Sequence, residues 1–368
     1  MHPRLVISNF QLFSMMLLFL FGSATIVSIG QEARQSAWIA VLVGMLIYLP
    51  FFALVTLLYK KHPEATFPTI LKIAFGKHLG RIICMLYVLY FIYIGARVLR
   101  DFCELLLLTS MNHTPLVIVG AIMMLVIAYA CFLEVEPIAR ASVLLLVVFI
   151  GFIVLGFLLL FFSDVMNPDR MQPILGEGID SIFKAVFPLI LTFPFGEMVV
   201  FLMFNQFVKG ERSLRKMGTR AVVIGGVMLS MLSLISLTTL GQHLVGSSTI
   251  PLIVTVQQVN IGDIIQRMDM LAISVLIIGG FAKVTIFAYA AIVGIKEIYQ
   301  TNSHKLLIFL IAISILTTTV FMSDNSVKHL NIGLKVVPVW IHIPMQFVIP
   351  IVTLLILQLK SRKKNRST

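Results

Sequence analysis

Phe193-Pro194-Phe195-Gly196-Glu197 lies in the middle of an apolar run over 181–207 that is long enough to cross a bilayer, yet it does not read as continuous helix. Pro194 lacks the N–H that the helical ladder needs, Gly196 has the most permissive backbone, and Glu197 puts a carboxylate where lipid disfavours one. A second interruption, Gly22-Ser23-Ala24-Thr25, sits halfway along the first apolar run, 9–30. Either break alone is compatible with a packing kink, because Gly and Pro are frequent in membrane helices. Together they interrupt the first and sixth of ten apolar spans. Two inverted five-span repeats with equivalent broken helices produce that spacing, and such breaks point to a transporter's binding site. Free N–H groups at a break suit a carboxylate and free carbonyls suit an ammonium. A zwitterionic amino acid, or a similar small polar nutrient, matches both.

The rest of the chain fits this frame. Its 368 residues are 59% hydrophobic and 12% charged, more apolar surface than a soluble domain could hide. Hydropathy predicts spans near 9–30, 37–59, 82–110, 115–133, 140–163, 181–207, 220–242, 269–296, 305–322 and 336–359. The expected organisation is a single all-α transmembrane domain over 1–368, with repeat 1 at about 9–163, repeat 2 at about 181–322 plus 336–359, and a basic cytoplasmic tail at 360–368. The first run is a span rather than a secretory signal, since it continues past its small residues and further spans follow.

Ten spans place both termini on one side. With the N-terminus cytoplasmic, nineteen of the twenty-eight lysines and arginines fall inside, from Arg4 through Lys61, Lys209 and Arg212 to Arg366, against five outside, Arg267 among them. The positive-inside rule therefore predicts that both termini are cytoplasmic. The net charge of +12 belongs to loops beside anionic membrane lipid, not to a nucleic-acid surface, and the tail reads as a topology anchor. Cys84, Cys103 and Cys131 lack CxxC spacing, and the eight histidines, mostly at span ends and in loops, lack paired metal-ligand spacing. Neither a metal, a cofactor nor an enzyme is indicated.

Charges inside the spans are the remaining candidates. Tyr90, Tyr93, Arg97, Arg100, Asp101 and Glu104 form one broad helical stripe. Arg97 with Asp101 and Arg100 with Glu104 are i,i+4 pairs, so the outer part of the stripe reads as self-neutralised structure. Arg97 and Tyr93 lie deeper and are candidates for pocket lining. Lys283 is about 20 Å of helix from Met270 and about as far from Lys296, too deep to snorkel to either surface. Glu197 is its obvious counter-charge. The two form either a structural ion pair or a functional one in which Lys283 replaces a coupling cation or touches the ligand. The preceding Gly279-Gly280 permits close backbone approach. Between spans 7 and 8, the segment Ser247 to Met268, with Pro251 and the amphipathic stretch Ile264-Ile265-Gln266-Arg267, reads as an external loop helix that either covers a vestibule or packs at the interface.

QEARQSAW at 31–38, FLEVEPIAR at 132–140, NPDRMQPILGEG at 167–178, FPFGE at 193–197 and RMDMLAISVLIIGGFAK at 267–283 run in an order and spacing that resemble the permease-like B subunit of the nutrient germinant receptors of spore-forming bacteria. That spore germination family belongs to the amino acid-polyamine-organocation superfamily, with its LeuT-type fold. The resemblance covers nearly the whole chain. It implies a subunit in the inner membrane of a dormant spore, working beside a membrane-anchored A subunit and a lipoprotein C subunit. It also implies that a soluble nutrient, often an amino acid, binds this subunit and triggers release of ions and small solutes. By fold analogy the ligand carboxylate meets Gly22, Ser23 and Ala24, with Phe195, Gly196 and Glu197 opposite. The expected ligand set is Gly22, Ser23, Ala24, Thr25, Tyr93, Arg97, Phe195, Gly196, Glu197 and Lys283. One departure stands out: Phe19-Leu20-Phe21 precedes a single glycine where ordinary superfamily transporters have a richer small-residue signature. A working amino-acid or cation symporter would use the same pocket, and a subunit that only organises a complex would use none.

Overall fold

The computed structural model describes residues 6–366 except 27–28, 61, 209, 211–212, 263–264, 267 and 302. Arg4, Lys61, Lys209, Arg212 and Arg267 of the orientation argument, and 367–368 of the tail, lie outside the described residues. Among the described residues, eight helical stretches are long and apolar enough to cross a membrane, and Asn9–Thr25 and Leu116–Phe132 are shorter apolar helices. The chain is an integral membrane protein, and among the described residues these make ten apolar helical elements.

α1 (Asn9–Phe21) starts on a capping box, in which Ser8 accepts from the Gln11 N–H and the Gln11 side chain accepts from the Ser8 N–H. It stops at Gly22, whose φ of −19° and ψ of −103° leave the helical region. A single 3₁₀ turn, Ser23–Thr25, follows, and Thr25 Oγ1 donates back to the Phe21 and Gly22 carbonyls. The expected helix out to residue 30 is thus shorter, because Gly22 ends the ladder and Thr25 occupies the carbonyls that would extend it.

A 3₁₀ segment, Gln31–Ser36, leads into α2 (Ala37–Val55). An amphipathic α3 (Phe67–Phe75) precedes α4 (Lys77–Thr109), α5 (Leu116–Phe132) and α6 (Val135–Phe162). The sixth crossing begins as α7 (Ile179–Ala185), widens into a π-helical stretch, Val186–Phe195, and tightens into 3₁₀ from Gly196 to Phe207. Its backbone is non-helical at Phe193, as the FPFGE motif predicts, and again at Phe187. Each of these phenylalanines precedes a proline, whose ring drives the preceding residue out of the α region.

α8 (Ser213–Leu240) is followed by two loop helices, α9 (Gln242–Ser247) and α10 (Pro251–Val256). The amphipathic stretch at 264–267 is not helical where it is described. Ile265–Gln266 is a two-residue strand paired antiparallel with Asn260–Ile261, and Ile264 and Arg267 lie outside the described residues. α11 (Asp269–Tyr299), α12 (His304–Phe321), the short α13 (Ser326–Asn331), a π-helical Pro338–Val348 and α14 (Ile349–Arg366) complete the chain.

Burial sorts the crossings. In the sixth, 78% of the most apolar window is buried, whereas α6 buries 22% of its own and α12 28%. α6 and α12 present Leu144, Val147, Phe161 and Phe309 outward, where lipid rather than protein must cover them. α1, the sixth crossing and α11 form the centre, and both breaks lie there.

Candidate functional site

Two glycines make the centre possible. A Cβ on Gly279 would stand 3.1 Å from the Gly22 Cα, and one on Gly22 would stand 2.5 Å from the Cδ of Lys283. α1 and α11 can therefore touch backbone to backbone, and the Lys283 stem lies across the bare Gly22. Its ammonium donates to Ser23 Oγ at 3.1 Å and pairs with Glu197 Oε2 at 2.5 Å. The rings of Phe19 and Phe193 flank it at 5.0 and 4.8 Å. Lys283 is wholly buried and the Glu197 side chain is 3% exposed. A buried lysine is tolerable only when paired and bonded, and the two aromatic faces add cation–π attraction. One side chain from α11 thus joins the broken first crossing to the broken sixth.

Beside this pair is a cavity walled by Ser23, Arg97, Asp101, Phe193, Glu197 and His342, and covered by Leu330 and Leu334. Its empty space, counted out into the open mouth, is about 440 Å³. Arg97 Nη2 donates to the His329 carbonyl at 2.8 Å, and His329 Nε2 pairs with Asp101 Oδ1 at 2.8 Å. These two contacts hold α13 over the cavity. Below, Gln346 Nε2 donates to the Tyr90 hydroxyl at 2.8 Å, and both groups reach His342 Nδ1, at 3.0 and 2.8 Å. That geometry is satisfied when Nδ1 is the acceptor nitrogen.

The ten expected ligand residues separate. Ser23, Arg97 and Glu197 stand on the cavity wall. Lys283 and Gly22 lie behind it, the one paired with Glu197 and the other bare because the Lys283 stem fills its space. Ala24 and Thr25 line a different cavity, between α2, α8 and the loop helices. Tyr93, Phe195 and Gly196 are not on the wall among the described residues. Phe195 stacks on Tyr48 at 5.9 Å between centroids, and Gly196 is covered by the Gln346 amide.

The charged stripe also divides. Arg100 and Glu104 pair at 2.5 Å, as the spacing predicts. Arg97 and Asp101 do not take one another as that spacing suggests; both turn to His329, which a loop brings from 228 residues beyond Asp101. His342 was the least visible wall residue. Its signal is the i,i+4 pair His342 and Gln346 inside an apolar span, two polar groups that need partners in the bundle.

Residues 6–327 match the sequence profile of a family described as spore germination protein. Spore germination protein KB of Bacillus subtilis (strain 168) is 34% identical over 361 residues, covering 98% of this chain and 97% of that protein. Spore germination protein XB of Bacillus anthracis is 21% identical over 74% of each chain. Among solved structures, a Na⁺-coupled sialic acid symporter in a substrate-bound outward-open state superposes with a TM-score of 0.65 at 14% identity, over 93% of this chain and 79% of its own. MhsT, solved in complex with L-phenylalanine, gives 0.64 at 11% identity, over 97% and 99%. These likenesses show the LeuT-type fold with its broken first and sixth helices. With a family profile spanning most of its length and a 34% identical relative along nearly all of it, the chain belongs to the spore germination protein family.

Proposed function

We propose that this protein is a germinant-receptor subunit that binds a small zwitterionic nutrient in the cavity beside the Lys283–Glu197 pair. The observation that carries the reading is the wall itself, which sets the Arg97 guanidinium and the Glu197 and Asp101 carboxylates around one space at the crossing of two broken helices. Arg97 spends one contact on the His329 carbonyl, and the rest of its donor fork serves a carboxylate. The ligand's ammonium competes with Lys283 for Glu197. Binding then alters the link between the first, sixth and eighth crossings, and only a ligand that favours one arrangement of them produces a signal.

In this reading the protein sits in the bacterial inner membrane, of cell or spore, with both termini cytoplasmic, and passes the bias to A and C subunits of a receptor complex. The experiment is a thermal-shift titration of purified protein with amino acids and sugars, repeated on Arg97→Gln. A stabilising amino acid whose affinity falls at least about tenfold in Arg97→Gln supports the reading, that being the scale of a lost charge-assisted hydrogen bond. Absence of any binder, or binding indifferent to Arg97→Gln, removes the ligand from this cavity. Substrate uptake into vesicles by the protein alone would make it a symporter instead.

A further inference from the structure

Ser23, Ala24 and Thr25 form one 3₁₀ turn, and in that helix successive side chains point about 120° apart. The turn therefore faces two spaces. Ser23 is on the wall of the site above, whereas Ala24 and Thr25 are on the wall of a second cavity, with about 670 Å³ of empty space counted out to its mouth. This second space lies beyond the end of α1, which stops at Phe21. Its sides are fixed. Ser230 Oγ of α8 donates to the Trp38 carbonyl of α2 at 2.9 Å, and Thr255 of α10 reaches Ser236 of α8 at 3.1 Å.

We propose that this second cavity binds a small uncharged molecule bearing hydroxyl or amide groups. Its polar lining includes Gln31, Ser233 and Gln242, whose amides and hydroxyl both donate and accept. Arg34 is the one ionised group on the wall among the described residues, and Glu177 already holds it at 2.7 Å. That pair is largely exposed to solvent, so the described wall offers no buried charge to hold a carboxylate or an ammonium, whereas its amides and hydroxyls suit a neutral polyol or amide. Much of the remaining wall is aliphatic and accepts a carbon skeleton. Because one turn of chain separates the two cavities, an occupant that fixes Ala24 and Thr25 also constrains Ser23. Occupancy of either cavity then changes the affinity of the other by the same factor. The proposal stands independently of which nutrient, if any, enters the first cavity.

The test uses full-length purified protein titrated with xylose, mannitol and acetamide, followed by thermal unfolding. Gly246→Leu and Ser233→Leu fill the cavity; a Cβ on Gly246 meets only Gln242 Nε2, at 3.9 Å, so the added side chain has room. Gln242→Ala removes an amide without adding bulk, and carries the test if a filled variant unfolds early. The expected result is that at least one probe stabilises both the wild type and Arg97→Gln, and binds about tenfold or more weakly in the three cavity variants, the scale of lost hydrogen bonds. No stabilisation by any probe overturns the proposal, as does stabilisation that survives all three variants. Stabilisation lost in Arg97→Gln but kept in the cavity variants also overturns it, because the probe then occupies the first cavity.

Discussion

Two buried cations in this protein are accommodated in different ways. Arg100 donates to Glu104 at 2.5 Å and to the Thr319 and Val320 carbonyls at 3.0 and 3.3 Å. Those carbonyls belong to the last turn of α12, where no intrahelical donor remains, so the guanidinium caps a helix end as well as pairing with an acid. Lys283 has one carboxylate, one hydroxyl and two aromatic faces. Its carboxylate also borders a cavity and its hydroxyl belongs to a broken helix. Arg100 is therefore fixed by partners that a ligand does not reach, whereas both polar partners of Lys283 are exposed to whatever enters the cavity. The contrast separates a charge held by the scaffold alone from one whose polar partners border a cavity.

The largest expected effect tests the Lys283 side. Lys283→Met leaves Glu197 buried and unpaired, which costs about 3–5 kcal/mol and lowers the unfolding temperature sharply or prevents insertion. The double variant Lys283→Met/Glu197→Gln, with no charge to strand, should recover more than half of that loss. A single variant as stable as wild type would mean that the pair contributes little.

Arg100→Met is the matching experiment. It strands Glu104 and two carbonyls nearer the end of the bundle, for a loss of about 2–3 kcal/mol. Any ligand that binds the wild type should bind the surviving protein within about twofold, since no partner of Arg100 walls the cavity. A large change in affinity with an intact fold would erase the distinction between the two cations.

Gly22→Ala probes the contact between Lys283 and the first crossing. The new Cβ stands 2.5 Å from Lys283 Cδ and 2.9 Å from its Cβ, so the stem must move. Overpacking of this kind costs about 1–3 kcal/mol. The expected readout is a lower unfolding temperature together with weaker ligand binding, because the displaced ammonium no longer holds Glu197. A larger residue at this position does not simply crowd a ligand; it first evicts Lys283.

How much was legible follows from how local each signal is. The break at Phe193 was readable because Pro194 and Gly196 act on their own neighbours, and the same phenylalanine–proline signal at Phe187 was there to be read. The Lys283–Glu197 pair was readable because two deep opposite charges must find each other in lipid. Arg97 stands on the wall as its depth suggests, but its pairing with Asp101 does not form, because i,i+4 spacing describes one helix whereas the partner of both arrives on α13 through tertiary packing. The division of Ser23 from Ala24 and Thr25 could not be read, since an α-helical turn and a 3₁₀ turn distribute the same three side chains differently and the sequence does not say which forms. Gly22 was placed correctly at the break but misread in role: its missing side chain makes room for a lysine stem 261 residues later, a contact that no local pattern encodes.

The smallest expected effect is also the most specific. If the ammonium of Lys283 permanently occupies the junction of the first, sixth and eighth crossings, a free cation has neither the space nor the unpaired carboxylate it would need there. Replacing sodium by choline at constant ionic strength should then change nutrient affinity by less than about twofold, because constant ionic strength holds the screening of the exposed charges fixed. In Lys283→Met, where the carboxylate is released, the same exchange should begin to matter: sodium binding to the folded state would raise the unfolding temperature in proportion to the logarithm of its concentration. Sodium dependence in the wild type would place a mobile cation elsewhere in the bundle and leave Lys283 a structural strut like Arg100. Sodium dependence confined to the variant would show that the lysine stands where an ion can bind.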